Sequence, residues 1–457
     1  MTLPIHTDTL HTHHATTSYT FCFYVSGHGW GHATRACQVI FDILRLPAGH
    51  RVYVVSNASE FIFRGVTDRG AVYRHALIDA GVVQPLAYTV DREKTIENLT
   101  EFLRHREEKL AREMVWLRSV GADCVLCDSP FLPCAAASAV GIPAAIVSNF
   151  TFDEVYLGLC ENDALDPTIN TIVHTIISDY KKADLLIRLP GAIRIPSFES
   201  SPTLVPITPI TAPNTLLPVF PVTTTSLIPT TTLLPRLIID IPLVFRHSVT
   251  PRSAVLDGLA IPTAIYTTHK ILLLTFGGQI IDNEEWGDPL PPGWICIVCG
   301  APDYGELPPR FYRASRDAYV PDLVNACDVV LGKLGYGTCS ECIGHARPFI
   351  YVPRPQFIEE YGLLELMRSQ GSCVELTREK FEGGEWKEAI LEACAMPGRC
   401  DEAKRIAHDG GVVAARVLCE FVRERRGENV VDGKGVEEVD IIVDVTRGVE
   451  MFGEVVN

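Results

Sequence analysis

Apolar runs of strand length alternate with helical stretches along most of this 457-residue chain, and this alternation constrains the fold more than any other feature. Such an order predicts parallel sheets covered by helices on both faces. A chain of this length exceeds what one hydrophobic core usually organises, so we expect two such units. The sequence therefore predicts an α/β protein with two doubly wound, Rossmann-like domains, whose ligand crevices lie at the carboxyl ends of their strands.

A glycine-rich turn joins the first predicted strand, residues 21–26, to a predicted helix over residues 32–46. The turn reads Ser-Gly-His-Gly-Trp-Gly-His-Ala-Thr-Arg over residues 26–35. Glycines let a ligand approach the backbone closely, and the free N–H groups of a helix N-terminus favour anions. The spacing differs from the dinucleotide-binding fingerprint, and an ordinary α/β joint is the alternative. We interpret the turn as a ligand site whose candidate residues are His28, Gly29, Gly31, His32 and Arg35.

A second glycine-rich turn follows another apolar run, residues 328–331. It reads Gly-Lys-Leu-Gly-Tyr-Gly-Thr-Cys-Ser-Glu over residues 332–341. Its glycines would open backbone N–H groups to phosphate oxygens, and Glu341 in the first helical turn could accept two ribose hydroxyls. Thr338 or Ser340 is expected to cap the helix. The alternative is a capped helix whose acidic residue complements the helix dipole.

Composition narrows the classes of partner and compartment. The net charge of −16 argues against nucleic acid as the main partner, although a nucleotide held locally by backbone amides stays possible. The 15 cysteines fall mostly inside apolar patterns, which indicates buried thiols in a reducing compartment. Cys124 and Cys127 have the spacing of a redox or zinc pair, but no matching second pair lies nearby, so we interpret them as core. Neither a signal peptide nor a transmembrane run is predicted, and we expect a cytoplasmic protein.

Residues 200–235 differ from the rest of the chain because they are rich in Pro, Thr and aliphatic residues and carry no charge. Repeated proline blocks both helices and central strands, so we expect a disordered or extended insertion. It is either a genuine insertion or an error of the gene model.

Two such domains, each with a glycine-rich turn, resemble the GT-B architecture of glycosyltransferases, in which two Rossmann-like domains face a central cleft. Residues 29–32 resemble the N-terminal Gly-His turn of nucleotide-sugar transferases. Residues 335–341 resemble the donor-site motif of the bacterial transferase that completes lipid II. Most closely, the chain resembles the N-terminal glycosyltransferase-like domain of plant-type L-arabinokinase. This resemblance covers most of residues 20–425 and is carried by residues 26–35, 128–149, 186–196, 276–279, 291–301 and 322–361.

The resemblance implies five parts along the chain. They are a disordered lead over residues 1–18, an N-terminal acceptor-side domain over 19–198, the Pro/Thr-rich insertion over 199–237, a C-terminal nucleotide-sugar-binding domain over 238–425 and an acidic tail over 426–457. The kinase half of arabinokinase should carry a Ser-rich phosphate loop of the galactokinase type. We find no such loop in this sequence, so we do not expect arabinose phosphorylation.

On the acceptor side, the resemblance implies an inverting transfer that needs a general base. His32 is the expected base, since imidazole titrates near neutral pH. Asp128, which follows a predicted strand over residues 123–127, would orient His32, and a helix cap at the strand end is the alternative. Arg35 stands where many relatives have proline and could bind a phosphate or an acidic acceptor. His28, Gly29 and Gly31 complete the expected acceptor or phosphate contacts.

On the donor side, Lys333 is expected to supply positive charge to the diphosphate and Glu341 to hold the ribose. The expected donor-binding set is Gly277, Gly278, Gln279, Lys333, Gly335, Gly337, Thr338, Ser340 and Glu341. Arg354, Glu359 and Glu360 occupy positions where relatives contact the donor sugar, but we interpret them as a solvated loop and a helix start. We expect neither a metal nor a cofactor other than the nucleotide-sugar substrate.

Three classes of function follow. The first is transfer of a sugar from a nucleotide sugar, with a UDP-sugar as the expected donor, to a hydroxyl acceptor. The alternative is a non-catalytic nucleotide-sugar-binding module with a regulatory role, because fold and binding motifs do not prove transfer. The third is a hydrolase or epimerase of the same fold. The presence of both His32 and Asp128 favours an enzyme.

Overall fold

The computed structural model describes residues 17–86, 88–199, 203–204, 207–209, 216–218, 236–277, 286–301, 305–398, 400 and 402–428. Most of the predicted lead, insertion and acidic tail lies outside these residues.

The first half of the chain builds one parallel sheet. Its eight strands lie in the spatial order Val72–His75, Arg51–Ser56, Thr20–Val25, Cys124–Asp128, Ala144–Ser148, Leu185–Arg188, Leu237–Asp240 and Thr203–Leu204. Numbered along the chain, the first six strands therefore run 3-2-1-4-5-6, which is the order of a Rossmann domain. The order reverses between Thr20–Val25 and Cys124–Asp128, so a crevice opens at the carboxyl ends of these two strands.

The second half repeats the same winding in a six-stranded parallel sheet. Its strands lie in the order Phe311–Arg313, Trp294–Cys299, Lys270–Thr275, Val329–Gly332, Phe349–Tyr351 and Cys373–Glu375, which again runs 3-2-1-4-5-6 along the chain. The reversal lies between Lys270–Thr275 and Val329–Gly332. Both glycine-rich turns thus follow strands at a point of reversal. The predicted α/β fold with two doubly wound domains is confirmed.

Helices connect and cover the strands. The α-helices span Trp30–Leu44, Arg64–Thr67, Arg92–Arg104, Arg106–Ser119, Leu132–Val140, Phe152–Leu157, Asp166–Tyr180, Arg252–Gly258, Thr263–Tyr266, Val320–Ala326, Tyr336–Gly344, Glu359–Gln370, Arg378–Glu382, Lys387–Ala395 and Gly410–Arg425. Short 3-10 helices span Glu60–Phe63, Pro196–Phe198 and Glu402–Lys404, and Ile207–Pro209 pairs with Leu216–Pro218 in a small antiparallel ladder. The long helix predicted over residues 95–117 is interrupted at His105, and the helix predicted from residue 401 begins at Gly410.

The central strands are apolar on both faces because helices cover both sides of each sheet. In Thr20–Val25, Phe21 and Phe23 face a hydrophobic cluster that extends far into the second half, whereas Cys22 and Tyr24 face a separate cluster whose one buried member from the second half, among the described residues, is Phe357. The shared cluster includes Phe421 of the last helix. The two halves therefore share one hydrophobic cluster, to which helix Trp30–Leu44 contributes.

Two segments cross the predicted domain boundaries. Strand Leu237–Asp240 pairs in parallel with Leu185–Arg188, so the first sheet continues past residue 238, where the second domain was predicted to begin. Helix Gly410–Arg425 lies at the end of the predicted second domain but packs on Trp30–Leu44 of the first. A side chain at Gly411 would overlap the carboxylate of Asp42, which shows how closely these helices approach.

All fifteen cysteines are free thiols, and Cys124 and Cys127 are fully buried on Cys124–Asp128, in agreement with their interpretation as core.

No helix in the described part of the chain has both the length and the apolar character needed to span a membrane.

Candidate functional site

The first glycine-rich turn leaves a helix N-terminus open. Gly29 precedes helix Trp30–Leu44 with φ at 98°, in the left-handed region that glycine adopts without strain. No side chain caps this helix, and its first turn contains no acidic residue. Its first N–H groups therefore keep their capacity to bind an anion.

The second glycine-rich turn lies against the first. A Cβ added at Gly337 would lie 2.8 Å from Thr34 Oγ1, and one added at Gly31 would lie 3.9 Å from the Gly337 nitrogen. Glycine at these positions allows helices Trp30–Leu44 and Tyr336–Gly344 to pack closely across the two halves. The two predicted motifs therefore form one region between the two sheets, and Gly337 serves the packing between halves.

His32, on helix Trp30–Leu44, and Asp128, at the end of strand Cys124–Asp128, meet at the reversal of the first sheet. His32 Nδ1 lies 3.1 Å from Asp128 Oδ1, and the carboxylate is completely buried. The imidazole also lies edge-on to the ring of Phe150, with 5.3 Å between ring centres. A carboxylate on Nδ1 fixes the orientation of the ring and directs Nε2 away from Asp128.

Arg35 is part of this buried group rather than an open phosphate ligand. Its Nε donates to Asp128 Oδ2 at 2.6 Å, and its Nη2 donates to Asp128 Oδ1. The remaining N–H groups reach Asn149 Oδ1 and, at 2.9 Å, Ser148 Oγ. Arg35 is 4% exposed, so its predicted role in holding a phosphate or an acceptor does not fit its position. Sequence reasoning missed this role because the partners of Arg35 lie on other strands.

Neighbouring charges set the ionisation of Asp128. Burial opposes its charge, but Arg35, and after it His32, outweigh burial and lower the pKa of Asp128 to about 2. Asp128 is therefore ionised at neutral pH.

A cavity of about 40 Å³ lies beside His32, between the two halves. Its walls from the first half include His28, Phe150 and Phe152. Its wall from the second half is formed by residues 357–359, which include the carboxylate of Glu359. The cavity therefore combines aromatic surfaces with two histidines at the boundary between the two halves.

On the donor side, Lys333 and Gly277 are neighbours. Lys333 follows Val329–Gly332, and its Cε lies 3.6 Å from the position that a Cβ on Gly277 would take. Burial, and after it the charge of Arg354, lowers the pKa of Lys333 to about 7. The structure thus brings together these two predicted donor contacts, whereas Gly278 and Gln279 lie outside the described residues.

Glu341 is buried and paired. Its Oε1 accepts hydrogen bonds of 3.0 and 2.9 Å from Nε and Nη2 of Arg246. Burial raises the pKa of Glu341, and the charge of Arg246 acts in the opposite direction. Arg246 lies in an irregular segment after Leu237–Asp240, where no local pattern marked it as a partner. Glu341 therefore already has a cationic partner in the position where we expected it to hold a ribose.

The helix that carries Glu341 begins differently from the prediction. The residue before its first turn is Gly335, no side chain caps it, and Glu341 is the sixth residue of Tyr336–Gly344. Ser340 Oγ donates instead to the carbonyl of Gly337 at 3.0 Å, so the predicted cap by Thr338 or Ser340 is wrong. The first turn of this helix is left open because Gly335 has no side chain to bond to it.

Glu359 and Glu360 do begin helix Glu359–Gln370, as interpreted, but Arg354 and Glu360 are buried rather than solvated. The backbone N–H of Arg354 donates to Glu360 Oε2 at 2.9 Å, and its side chain donates to Glu360 Oε1 and, at 2.6 Å, to the carbonyl of Leu334. Arg354 thereby fixes the backbone next to Lys333. Glu359 receives a longer bond of 3.2 Å from the same guanidinium.

Two α/β halves of the same strand order, with a site between them at both points of reversal, define the GT-B fold. The structure matches the calicheamicin glycosyltransferase CalG4 with a TM-score of 0.53 over 90% of this chain and 99% of that chain, at 15% sequence identity. It also matches a spinosyn forosaminyltransferase with a TM-score of 0.49 over 90% of this chain and 95% of that chain, at 14% identity. The first of these likenesses establishes the fold.

The sequence adds a particular relative. The chain is 34% identical over 402 residues, 88% of its length, to L-arabinokinase of Arabidopsis thaliana. No model of a known protein family matches it. The chain is therefore a GT-B-fold protein related in sequence to L-arabinokinase, as its motifs predicted. It spans about a third (34%) of the length of that relative.

Proposed function

We propose that this protein binds a nucleotide sugar, with a UDP-sugar as the donor, and transfers the sugar to a hydroxyl acceptor. In this proposal Lys333 and the open backbone N–H groups of the second glycine-rich turn hold the diphosphate. The acceptor occupies the cavity beside His32. Neither a metal nor a further cofactor takes part, and the reaction takes place in a reducing compartment such as the cytoplasm.

One observation carries the proposal. The imidazole of His32 is anchored by a fully buried, ionised carboxylate and lines a cavity to which both halves contribute. A base that removes a proton from an acceptor hydroxyl needs this arrangement, because the carboxylate orients the ring and stabilises the imidazolium that forms. The hydroxyl oxygen then attacks the anomeric carbon, and the nucleoside diphosphate leaves with the electrons of the broken C–O bond.

The donor half supports the binding step. Lys333 places a half-buried amine next to Gly277, at the carboxyl ends of two neighbouring strands. A half-buried cation beside open backbone N–H groups favours a diphosphate, whose charge it would neutralise. Arg354 supports this arrangement because it holds the carbonyl of Leu334 in place.

Calorimetric titration of the purified protein with UDP-, GDP- and TDP-sugars in the presence of a chelator tests the donor half of the proposal. We expect micromolar binding of a UDP-sugar. Binding of another nucleotide sugar alone would correct the base, and binding of none by the folded protein would refute the proposal.

Replacement of His32 tests the catalytic half. We expect His32→Ala to abolish turnover and to leave the affinity for the nucleotide sugar within about twofold, because the donor contacts lie in the other half. His174→Ala, at an exposed position of helix Asp166–Tyr180, serves as the matched control and should keep full activity. Loss of donor binding in His32→Ala would instead assign His32 to the binding site or to the fold.

A second candidate function, nucleotide-sugar binding without transfer, is favoured by the position of Arg35. Its Nη2 lies 3.1 Å from His32 Nδ1, as well as on Asp128. If Nδ1 accepts this hydrogen bond in place of Ser148 Oγ, the proton of the neutral ring is on Nε2, and His32 presents a donor to the cavity instead of a base. Binding of a nucleotide sugar with no turnover over a wide panel of acceptors would favour this function.

A further inference from the structure

We propose that His28 and Asp79 form a second histidine–carboxylate pair in the cleft, which recognises an acceptor through an oxyanion, either a carboxylate or a phosphate. The proposal rests on the proposed function, since it assigns the cavity beside His32 to the acceptor and names the chemical class of that acceptor.

The first step of the argument is the isolation of Asp79. Its side chain is completely buried, and His28 Nε2 lies 3.2 Å from its Oδ1. Within the described residues, neither oxygen of this carboxylate has a partner with good hydrogen-bond geometry, and its contact with His28 is an ion pair. A carboxylate at this distance stabilises the positive charge of a protonated imidazole. Asp79 therefore favours the protonated form of His28.

The electrostatics agree with this geometry. Burial opposes protonation of His28, but the hydrogen bond and charge of Asp79 outweigh burial and raise the pKa of His28. Of the other ionisable groups that line the cavity, His32 is held by Asp128, and Glu359 lies on the opposite wall. His28 therefore brings a protonated imidazole to the cavity wall, where Asp79 balances its charge.

The position of His28 is built into the backbone. Gly81 adopts φ 57°, and a Cβ at this position would overlap the imidazole ring of His28. The carbonyl of Gly81 is itself fixed, because it accepts a hydrogen bond of 3.0 Å from the hydroxyl of Tyr156. Glycine at position 81 thus leaves the space that the His28 ring occupies, and any larger side chain there would displace the ring.

The other residues of the cavity indicate which class of molecule would bind to His28. His28, His32, Phe150 and Phe152 all line the cavity from the first half. Helix Trp30–Leu44, which begins two residues after His28, directs its uncapped N–H groups to the His28 end of the cavity. A sugar ring packed on the phenylalanines would bring a hydroxyl to His32 and a carboxylate or phosphate to His28.

Matched sugars measure this selectivity. The probes are D-glucose, D-glucuronate and D-glucose 6-phosphate, titrated at pH 6.5 into the full chain saturated with UDP. We expect at least one anionic sugar to bind ten times more tightly than glucose, and the two anions separate carboxylate from phosphate recognition. The preference should decline as pH rises through the pKa of His28. Equal affinities for all three sugars would overturn the proposal.

Variants separate charge from folding. We expect His28→Gln and Asp79→Asn to lose the tenfold preference, His28→Lys to keep part of it, and the exposed control His174→Gln to keep all of it. NMR titration of the His28 ring in the same proteins should show a pKa that falls in Asp79→Asn. A preference that survives His28→Gln would refute the proposal.

The donor titration distinguishes this proposal from the function on which it rests. His28→Gln should bind a UDP-sugar as the wild type does, because the donor contacts lie in the second half. A wild type that binds no nucleotide sugar but still selects the oxyanion would refute the proposed transfer and support the His28–Asp79 site.

Discussion

Each half of the protein contains one strand, glycine-rich turn and helix at the reversal of its sheet, and each has a buried carboxylate paired with an arginine nearby. In the first half Arg35 donates to both oxygens of Asp128, which also faces His32. In the second half both donors of Arg246 reach the same oxygen of Glu341.

The consequence appears in the pKa values. Burial opposes the charge of both carboxylates, yet the pKa of Asp128 falls to about 2 whereas that of Glu341 rises. Burial is common to both carboxylates, but Asp128 faces the charges of Arg35 and His32, whereas Glu341 faces that of Arg246 alone, and this accounts for the opposite signs. Two buried carboxylate–arginine pairs therefore have pKa values shifted in opposite directions, because their charged neighbours differ.

Among the tests of this difference between the two carboxylates, Asp128→Asn should have the largest effect. An amide must place its NH2 group against a donor of Arg35, because both oxygens of Asp128 accept from that guanidinium. We expect a loss of about 3–5 kcal/mol in the free energy of unfolding, since a buried arginine loses its counter-charge. Urea denaturation measures the loss.

Asp240→Asn is the control for Asp128→Asn. Arg188 donates to both oxygens of Asp240, but this pair is at the surface, so we expect a change below about 1 kcal/mol. Equal losses in the two variants would show that burial of Asp128 has no bearing on its contribution to stability.

Acid should remove part of the stability that the ionised carboxylate of Asp128 contributes. The pKa of Asp128 in the folded protein, about 2, lies below its ordinary value of about 3.9. The resulting stabilisation, ~2 kcal/mol, is present above pH 4 and is lost as pH falls through 2. The difference between wild type and Asp128→Asn in unfolding free energy should therefore shrink from pH 7 to pH 3. A difference that does not change with pH would contradict this assignment.

Glu341→Gln should cost less than Asp128→Asn. The amide oxygen of glutamine can still accept both N–H groups of Arg246, and the raised pKa of Glu341 shows that burial already disfavours its charge. We expect a loss of about 1–2 kcal/mol by urea denaturation, with exposed Glu392→Gln as the control. A loss as large as that of Asp128→Asn would remove the difference between the two halves.

The smallest expected effect concerns Lys333. Because its pKa lies near 7, its positive charge declines as pH rises from 6 to 8. The affinity for UDP-glucose, whose diphosphate does not titrate in this interval, should fall by up to about tenfold over the same interval. Lys333→Met should bind more weakly and without this pH dependence, and exposed Lys181→Met should behave as the wild type. A wild-type affinity independent of pH would exclude Lys333 from the diphosphate site.

Much of the site could be predicted from local patterns. Apolar runs followed by glycines identified both turns, and the residues after two strands of one sheet, His32 and Asp128, were expected to meet. The partners of buried arginines could not be found in this way. Arg35 and Asp128 are 93 residues apart, and Arg246 and Glu341 are 95 residues apart. Asp79 lies in an irregular segment with no pattern around it.

The sequence by itself determined the α/β class, the two windings and the positions of the glycine-rich turns, because periodicity and glycine act over a few neighbouring residues. Only the tertiary structure decided that helix Gly410–Arg425 returns to the first half, that Arg35 neutralises Asp128 and that Asp79 holds His28. These choices depend on which distant segments meet in the core. A buried charge takes the partner that the packing provides, since leaving it unpaired costs more than any local preference.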